Sequence, residues 1–151
     1  MTLPNQALVL VADGRKMLFL RNHGGAAKLD LRTEAHDERA DAKNSEIKTD
    51  APGTMQQSGG YGRPAYEETD FHQQAEDQWA KDTAELLNRR ALANDYDALA
   101  IVAPPRTLGE LRKHFHKETE RRIVATFNKA MTDRPIADIE NLLAGEAAPP
   151  A

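Results

Sequence analysis

The chain opens with short apolar runs separated by turn residues. Residues 7–12 and 17–20 are two such runs, and Asp13-Gly14 lies between them. Asp-Gly favours a tight hairpin turn, because both central residues of that turn need positive φ. A second turn is predicted at residues 23–25, and the alternating residues 28–32 predict a third strand. The pattern therefore predicts an antiparallel meander at the start of the chain.

The periodic pattern is lost between residues 33 and 68. Charged, amide and small residues dominate there, and the larger apolar residues are few: Ile47, Met55, Tyr61 and Tyr66. Such a composition cannot bury enough apolar surface to form a core element. Loops longer than about 15 residues are uncommon in compact domains unless they are functional or disordered. We therefore expect a long, mobile, glycine-rich loop over residues 33–68.

Helical spacing returns after this stretch. Phe71, Ala75, Trp79 and Leu86 recur at helical intervals and predict a long helix from about residue 69 or 70 to 93. This spacing also places Trp79 in the core.

The string IVAPPRTLGELRKHF, residues 101–115, marks a strand followed at once by a helix. An apolar strand over residues 98–103 ends at Pro104. Thr107 and Glu110 then predict a capping box at the start of a helix that reaches His116. Junctions of this kind, at the end of a sheet, are common binding places in α/β proteins.

The remaining pattern completes a single α/β domain over residues 1–145. A fifth strand is predicted over residues 122–128, followed by a helix that Thr132 or Asp133 caps and Gly145 ends. The prediction is a five-stranded mixed sheet with three helices, in the order β-β-β-loop-α-β-α-β-α. A similar order occurs in ribonuclease H-like enzymes. Residues 146–151 are expected to be a disordered tail.

Composition narrows the classes of function. The 151 residues carry a formal charge of −4, which argues against a protein coated in nucleic acid but leaves room for a local basic face. The absence of cysteine excludes disulfides, thiolate metal sites and a cysteine nucleophile. The first residues lack a signal-peptide pattern, and no segment approaches the roughly 20 apolar residues of a membrane helix. We therefore expect a cytoplasmic protein without a membrane partner.

The sharpest local signal is Ser58-Gly59-Gly60-Tyr61-Gly62-Arg63. Its glycines free the backbone for close approach to a partner. Tyr61 is suited to stacking on a base, and Arg63 to a bidentate contact with a phosphate or carboxylate. A simple flexible connection is the alternative, since the P-loop pattern is absent.

Other polar residues carry weaker signals. Arg106 and Arg112, with Arg89-Arg90, Lys113 and Lys117, could form a basic face near the junction, although solvated surface charge is the default interpretation. Asp13 is read as a turn residue in preference to a metal ligand, and His114 and His116 as helix-capping residues. No catalytic residue, metal-ligand set or cofactor is predicted.

Three blocks carry a resemblance to a known family. They are residues 11–14 (VADG), Gly62-Arg63 with Ala65, and residues 103–112 (APPRTLGELR). Together they resemble the bacterial family described as "protein required for attachment to host cells". Members often have His between that Arg and Ala, where this chain has Pro64, so imidazole chemistry is not implied there.

This family is in turn similar to the middle domain of archaeal and eukaryotic class 1 peptide-chain release factors. In those factors the loop carries Gly-Gly-Gln, and the Gln helps to hydrolyse peptidyl-tRNA. Here Tyr61 follows Gly59-Gly60, and Gln56 and Gln57 precede the pair. The resemblance therefore implies the fold more strongly than the hydrolysis.

The resulting prediction is a binding or regulatory module with an indirect role in attachment. Residues 59–63 and the face near Arg106 and Arg112 would contact RNA, a ribosomal partner or another protein. The alternative is a ribosome- or tRNA-associated, release-factor-like protein that hydrolyses peptidyl-tRNA esters. A metal-dependent nuclease that uses Asp13 is a distant third.

Overall fold

The structure is a computed structural model, and it describes residues 3–38 and 65–147. Within these ranges the chain forms five strands and four helices. The strands are β1 (Leu8–Ala12), β2 (Lys16–Asn22), β3 (Leu31–Glu38), β4 (Leu99–Ala103) and β5 (Ile123–Asn128). The helices are α1 (Ala65–Leu92), α2 (Pro105–Arg112), α3 (Lys117–Arg122) and α4 (Ile136–Ala147).

The five strands form one mixed sheet in the order β3-β2-β1-β4-β5. β2 is antiparallel to both β1 and β3, whereas β1 is parallel to β4 and β4 is parallel to β5. Four strands therefore run in the same direction, and only β2 opposes them. We call the edge where these four strands end the carboxyl edge, and the edge where they begin the amino edge.

The central strands are buried on both faces of the sheet. β1 (LVLVA) and β4 (LAIVA) are continuous apolar runs, as expected for strands that are covered from both sides. Alternate residues face two separate cores. The first core includes Leu8, Leu10, Leu99 and Ile101 with Ala84 and Leu87 of α1 and Leu108 and Leu111 of α2. The second includes Val9, Val11, Ala100 and Val102 with Ile139 and Leu143 of α4.

Helix α1 is much longer than the strands it covers. Its 28 residues span about 42 Å, whereas five residues of strand span roughly 17 Å. The Thr83 hydroxyl lies 3.7 Å from Met17 Sδ, and Met17 pairs with Ala12 at the end of β1. Because α1 leads into the start of β4, its earlier turns continue past the carboxyl edge.

The predicted fold class is confirmed. The first three strands form the expected meander, the sheet is mixed and five-stranded, and the chain is a single α/β domain. The number of helices differs, because α3 lies between the helix predicted over residues 107–116 and the predicted fifth strand, where no element was expected.

The predicted capping box is wrong. Pro104 is the N-cap of α2, and no side chain caps this end. Pro105 begins the helix because its fixed φ suits the first helical position. Thr107 therefore lies inside the first turn, where its hydroxyl cannot serve as the cap.

Several element boundaries also differ. β3 reaches Glu38 and α1 begins at Ala65, so both ends of the predicted long loop are regular structure. Residues 39–64, with the predicted glycine-rich segment, lie outside the described residues. α4 begins at Ile136, directly after Pro135 and not at the predicted cap Thr132 or Asp133, and it continues past Gly145 to Ala147. Of the predicted tail, residues 148–151 lie outside the described residues.

Candidate functional site

Polar segments converge on the carboxyl edge of the sheet. Asp13 follows β1, Pro104 follows β4, and Lys129 follows β5. Open α/β sheets commonly bind ligands at this edge. The chain also leaves the described structure here, at the end of β3, and re-enters it at Ala65, the start of the overhanging helix. The candidate residues Gly59, Gly60, Tyr61, Gly62 and Arg63 lie outside the described residues, shortly before α1.

Asp13 organises the turn between β1 and β2. Its Oδ1 accepts hydrogen bonds from the backbone N–H groups of Arg15 and Lys16, each at 2.7 Å. Its Oδ2 accepts the Thr132 hydroxyl at 2.6 Å. Both carboxylate oxygens are thus used to hold the hairpin and the β5–α4 connection. The predicted hairpin at Asp13-Gly14 is confirmed, but the expected positive φ is wrong for both residues, and the side chain of Asp13 holds the turn instead.

Two side-chain contacts join the β5–α4 connection to the β1–β2 turn at the carboxyl edge. Besides the bond between Thr132 and Asp13, Lys16 Nζ lies 2.6 Å from Asp133 Oδ1. The hydrogen bond and charge of Lys16 lower the pKa of Asp133. The Asp133 side chain is 80% exposed, so this ion pair contributes little to stability. The Thr132 bond is the firmer of the two attachments.

Helix α1 contacts the opposite side of this turn. A Cβ on Gly14 would lie 2.8 Å from Glu76 Cδ, so the side chain of Glu76 lies against the turn. One helical position further, Asp77 Oδ1 lies 4.0 Å from Arg106 Nη2 and accepts a hydrogen bond from Gln73. Eleven residues separate Glu76 from Ala65, which places the start of α1 about 16 Å beyond Gly14 along the helix axis.

Arg106 and Arg112 lie on α2 but point in different directions. Six helical residues separate them by about 9 Å along the axis and about 120° around it. Arg106 points outward near α1, while Arg112 Nη2 donates to Thr126 Oγ1 of β5 at 3.3 Å. The structure therefore places both on one helix without bringing their guanidinium groups together.

Comparison with known families agrees with this architecture. The model of bacterial archaeo-eukaryotic release factor family 12 matches residues 6–143. The chain belongs to this family. No curated protein matches it. The match supports the release-factor part of the predicted resemblance, and it gives no support to the host-attachment part.

In this family 12 domain, Arg90 does not join the predicted basic face. It lies at the amino edge in a network with Arg21, Glu34 and Asp95. Arg21 Nε donates to Glu34 Oε2 at 2.8 Å, and Arg90 Nη2 donates to Glu34 Oε1 at 2.8 Å. Burial raises the pKa of Glu34, but the hydrogen bonds and charges of the two arginines lower it further, to below its usual value. The network joins α1, β2 and β3.

A second buried arginine joins elements at the amino edge. Arg122 donates to the carbonyl oxygen of Tyr96 at 2.9 Å, to Oε1 of Glu118 at 2.9 Å and to Oδ1 of Asn94 at 3.0 Å. Asn94 has a positive φ of 58°, in the turn that follows α1. The guanidinium therefore fixes this turn to α3.

Histidine capping occurs at a different helix end from the one predicted. His116 Nδ1 accepts the N–H of Glu118 at 3.0 Å, so it caps the amino end of α3. The backbone carbonyl of His114 accepts a hydrogen bond from Asn88 of α1. Both residues belong to the turn between α2 and α3, which was not visible as a break in the helical pattern.

The described residues place limits on other chemistry. Within them, no group of three His, Asp or Glu side chains is arranged to hold a metal ion. None of the helices in the described ranges is long and apolar enough to cross a membrane.

Trp79 is half-buried on α1, and its indole N–H has no hydrogen-bond acceptor among the residues that the structure describes.

Proposed function

We propose that this chain is a release-factor-like domain that associates with the ribosome or with tRNA, and that residues 59–63 make a contact with that partner. The family match over residues 6–143 carries this proposal, because it covers nearly all of the domain. Host attachment is not part of it.

The architecture around the carboxyl edge supports this role for the segment. Residues 59–63 are joined within two positions to Ala65, the first residue of α1. That helix starts about 16 Å beyond the β1–β2 turn along its axis. The first residue of α1, to which the segment is joined, therefore lies beyond the turn that closes the sheet at this edge.

The residues of the segment favour binding over catalysis. Glycines at positions 59, 60 and 62 allow a partner to approach the backbone closely. Tyr61 offers a surface for stacking on a base, and Arg63 offers paired donors to a phosphate. The side chain after the two glycines is a phenol and not an amide, so the group that release factors bring to the ester is missing from that position.

The test is co-sedimentation of the purified protein with ribosomes across a salt series. We expect the intact protein to sediment with ribosomes at low salt and to dissociate as salt rises, because phosphate contacts weaken with salt. Deletion of residues 58–63 should abolish the association. The double variant Gln56→Ala and Gln57→Ala changes neighbouring residues outside the segment and should sediment like the intact protein.

Two results would contradict the proposal. One is the absence of association at low salt. The other is equal association of the intact protein and the deletion variant, which would place the contact elsewhere on the domain.

Hydrolysis of peptidyl-tRNA esters is the second candidate function. The family name, a release factor family, favours it, while Tyr61 in place of the motif glutamine counts against it. If the protein is a hydrolase of this kind, the purified protein should release peptide from peptidyl-tRNA. Gly60→Val should remove that activity, because a branched side chain blocks close approach of the backbone. A protein that binds ribosomes and leaves the ester intact would establish the binding role alone.

A further inference from the structure

Charge is unevenly distributed along the chain. Residues 104–129, which contain α2, α3 and β5, have seven Lys or Arg and three Glu, a formal charge of +4. The whole chain carries −4, so the remaining residues carry −8. This asymmetry is concentrated in one crossover unit of the fold, between β4 and β5.

The outward face of α2 is basic along its length. Arg106 and Lys113 are seven positions apart, which places them on the same side, about 10 Å apart along the helix axis. Their side chains are 61% and 67% exposed. Gly109 lies between them on that side, and a Cβ added there would have no atom within 4 Å. The two cations are thus separated by open space.

The three acidic residues of this unit offset only part of its charge: Glu110 and Glu118 pair with its cations, and Glu120 is exposed. Glu110 pairs with Lys113, but its side chain is only 14% exposed and turns inward. Glu118 pairs with Arg121 and with the buried Arg122. Arg112 donates to the neutral hydroxyl of Thr126, which leaves its positive charge in place. We define the α2–α3 basic surface as Arg106, Lys113, Lys117 and Arg121.

The beginning of α1 has the opposite character. Residues 65–78 contain five Asp or Glu and no Lys or Arg. A helix with this charge repels a phosphate backbone, so the RNA-facing surface is better placed on α2 and α3 than along the overhanging part of α1.

We propose that the α2–α3 basic surface binds the phosphate backbone of a structured RNA. The inference rests on the proposed function for the choice of RNA as the partner. It adds phosphate contacts on α2 and α3 to the contact proposed for residues 59–63.

Gly109 offers a test that leaves the cationic side chains unchanged. Gly109→Glu would place a carboxylate three positions after Arg106 and four before Lys113, where it can pair with both. Gly109→Lys adds a cation at the same point, and Gly109→Ala is the matched neutral control. Glycine inside a helix is destabilising relative to alanine, so all three variants should fold at least as well as the intact protein.

The probe is fluorescein-labelled deacylated tRNA, and binding is followed by fluorescence anisotropy between about 50 and 200 mM salt. We expect Gly109→Glu to bind about fivefold more weakly at low salt, Gly109→Lys to bind more tightly, and Gly109→Ala to match the intact protein. Lys113→Ala should lower the slope of log K against log salt by about 1.

Three outcomes would overturn the inference. The first is equal affinity of the three Gly109 variants for tRNA, and the second is weaker binding by both Gly109→Glu and Gly109→Lys. The third is displacement of labelled tRNA by polyglutamate as readily as by unlabelled tRNA. The last would indicate an acidic protein partner.

Co-sedimentation with ribosomes separates this inference from the proposed function. If ribosome binding depends on residues 58–63 and is unaffected by Gly109→Glu, the function stands and the surface fails. If tRNA binding follows the charge at position 109 while ribosomes are not bound, the surface stands and the function fails.

Discussion

At the amino edge of the sheet two arginines are buried and donate to several acceptors, whereas at the carboxyl edge Arg106 is 61% exposed and its nearest acid lies 4.0 Å away. Arg21 and Arg122 have only 7% and 10% of their side chains exposed. Buried charges are strongly destabilising when a partner is lost, and exposed pairs are worth little. The comparison assigns the buried arginines of the amino edge to stability, whereas Arg106 at the carboxyl edge is not held in this way.

The largest expected effect is at Arg122. Arg122→Ala would leave the Tyr96 carbonyl and the Asn94 amide oxygen without their donor, and we expect it to lower the free energy of unfolding by about 3 kcal/mol. Urea denaturation followed by circular dichroism measures this. Arg106→Ala is the matched arginine variant at the other edge and should change stability by less than about 0.5 kcal/mol. Equal losses for the two variants would remove the distinction between the edges.

The turn between β2 and β3, also at the amino edge, contains a pair of glycines with different surroundings. A Cβ on Gly24 would overlap the backbone carbonyl oxygen of Lys28, whereas a Cβ on Gly25 meets nothing within 4 Å. Backbone cannot move aside as easily as a side chain, so Gly24→Ala should destabilise by about 2 kcal/mol. Gly25→Ala, measured by the same thermal or urea unfolding, should be close to neutral. Equal tolerance at both positions would contradict this account of the turn.

A smaller effect is expected at Asp13 on the carboxyl edge. Asp13→Asn removes one acceptor and should cost about 1 kcal/mol, because the bonds to the backbone or to the Thr132 hydroxyl weaken. Thr132→Val should remove part of the same interaction, so a double-mutant cycle in urea should give less than additive losses. Fully additive losses would show that the two residues do not interact. A loss of Mg²⁺-dependent nuclease activity in Asp13→Asn would contradict its assignment to the turn.

The smallest expected effect is a pH dependence from Glu34. Its pKa is lower in the folded state than in the unfolded state, so its ion pairs stabilise the fold above the unfolded pKa. This contribution is lost as the pH falls through the folded pKa. Because Glu34 is partly exposed, we expect at most about 1 kcal/mol. The free energy of unfolding should change less between pH 7 and mild acid in Glu34→Gln than in the intact protein. An equal change in both proteins would argue against a stabilising role for the Glu34 ion pairs.

The elements that local pattern determines could be predicted from the sequence. Asp13-Gly14 between two apolar runs predicts the first hairpin, and the apolar run before Pro104 predicts β4. Helix α3 was missed because its buried side consists of Thr119 and Arg122, so no apolar spacing reveals it. The capping box failed because Pro105 competes with Thr107 for the start of α2 and is the better first residue.

The candidate site was less predictable because its contacts join distant parts of the chain. Thr132 and Asp13 are 119 positions apart, and Arg90 and Glu34 are 56 apart. Charge spacing alone grouped Arg89-Arg90 with Arg106, although the fold puts Arg90 and Arg106 at opposite edges of the sheet. The sequence does not reveal which edge of the sheet lies next to residues 59–63. The structure shows it, because β3 ends and α1 begins at the carboxyl edge.

The most direct test of the central claim perturbs each edge in turn and measures ribosome co-sedimentation at low salt. Deletion of residues 58–63 acts on the segment joined to the carboxyl edge, and Glu34→Gln acts on the network at the amino edge. The account predicts that the deletion abolishes sedimentation with ribosomes and that Glu34→Gln retains it. Retention of sedimentation by the deletion variant, or its loss in Glu34→Gln, would contradict the account.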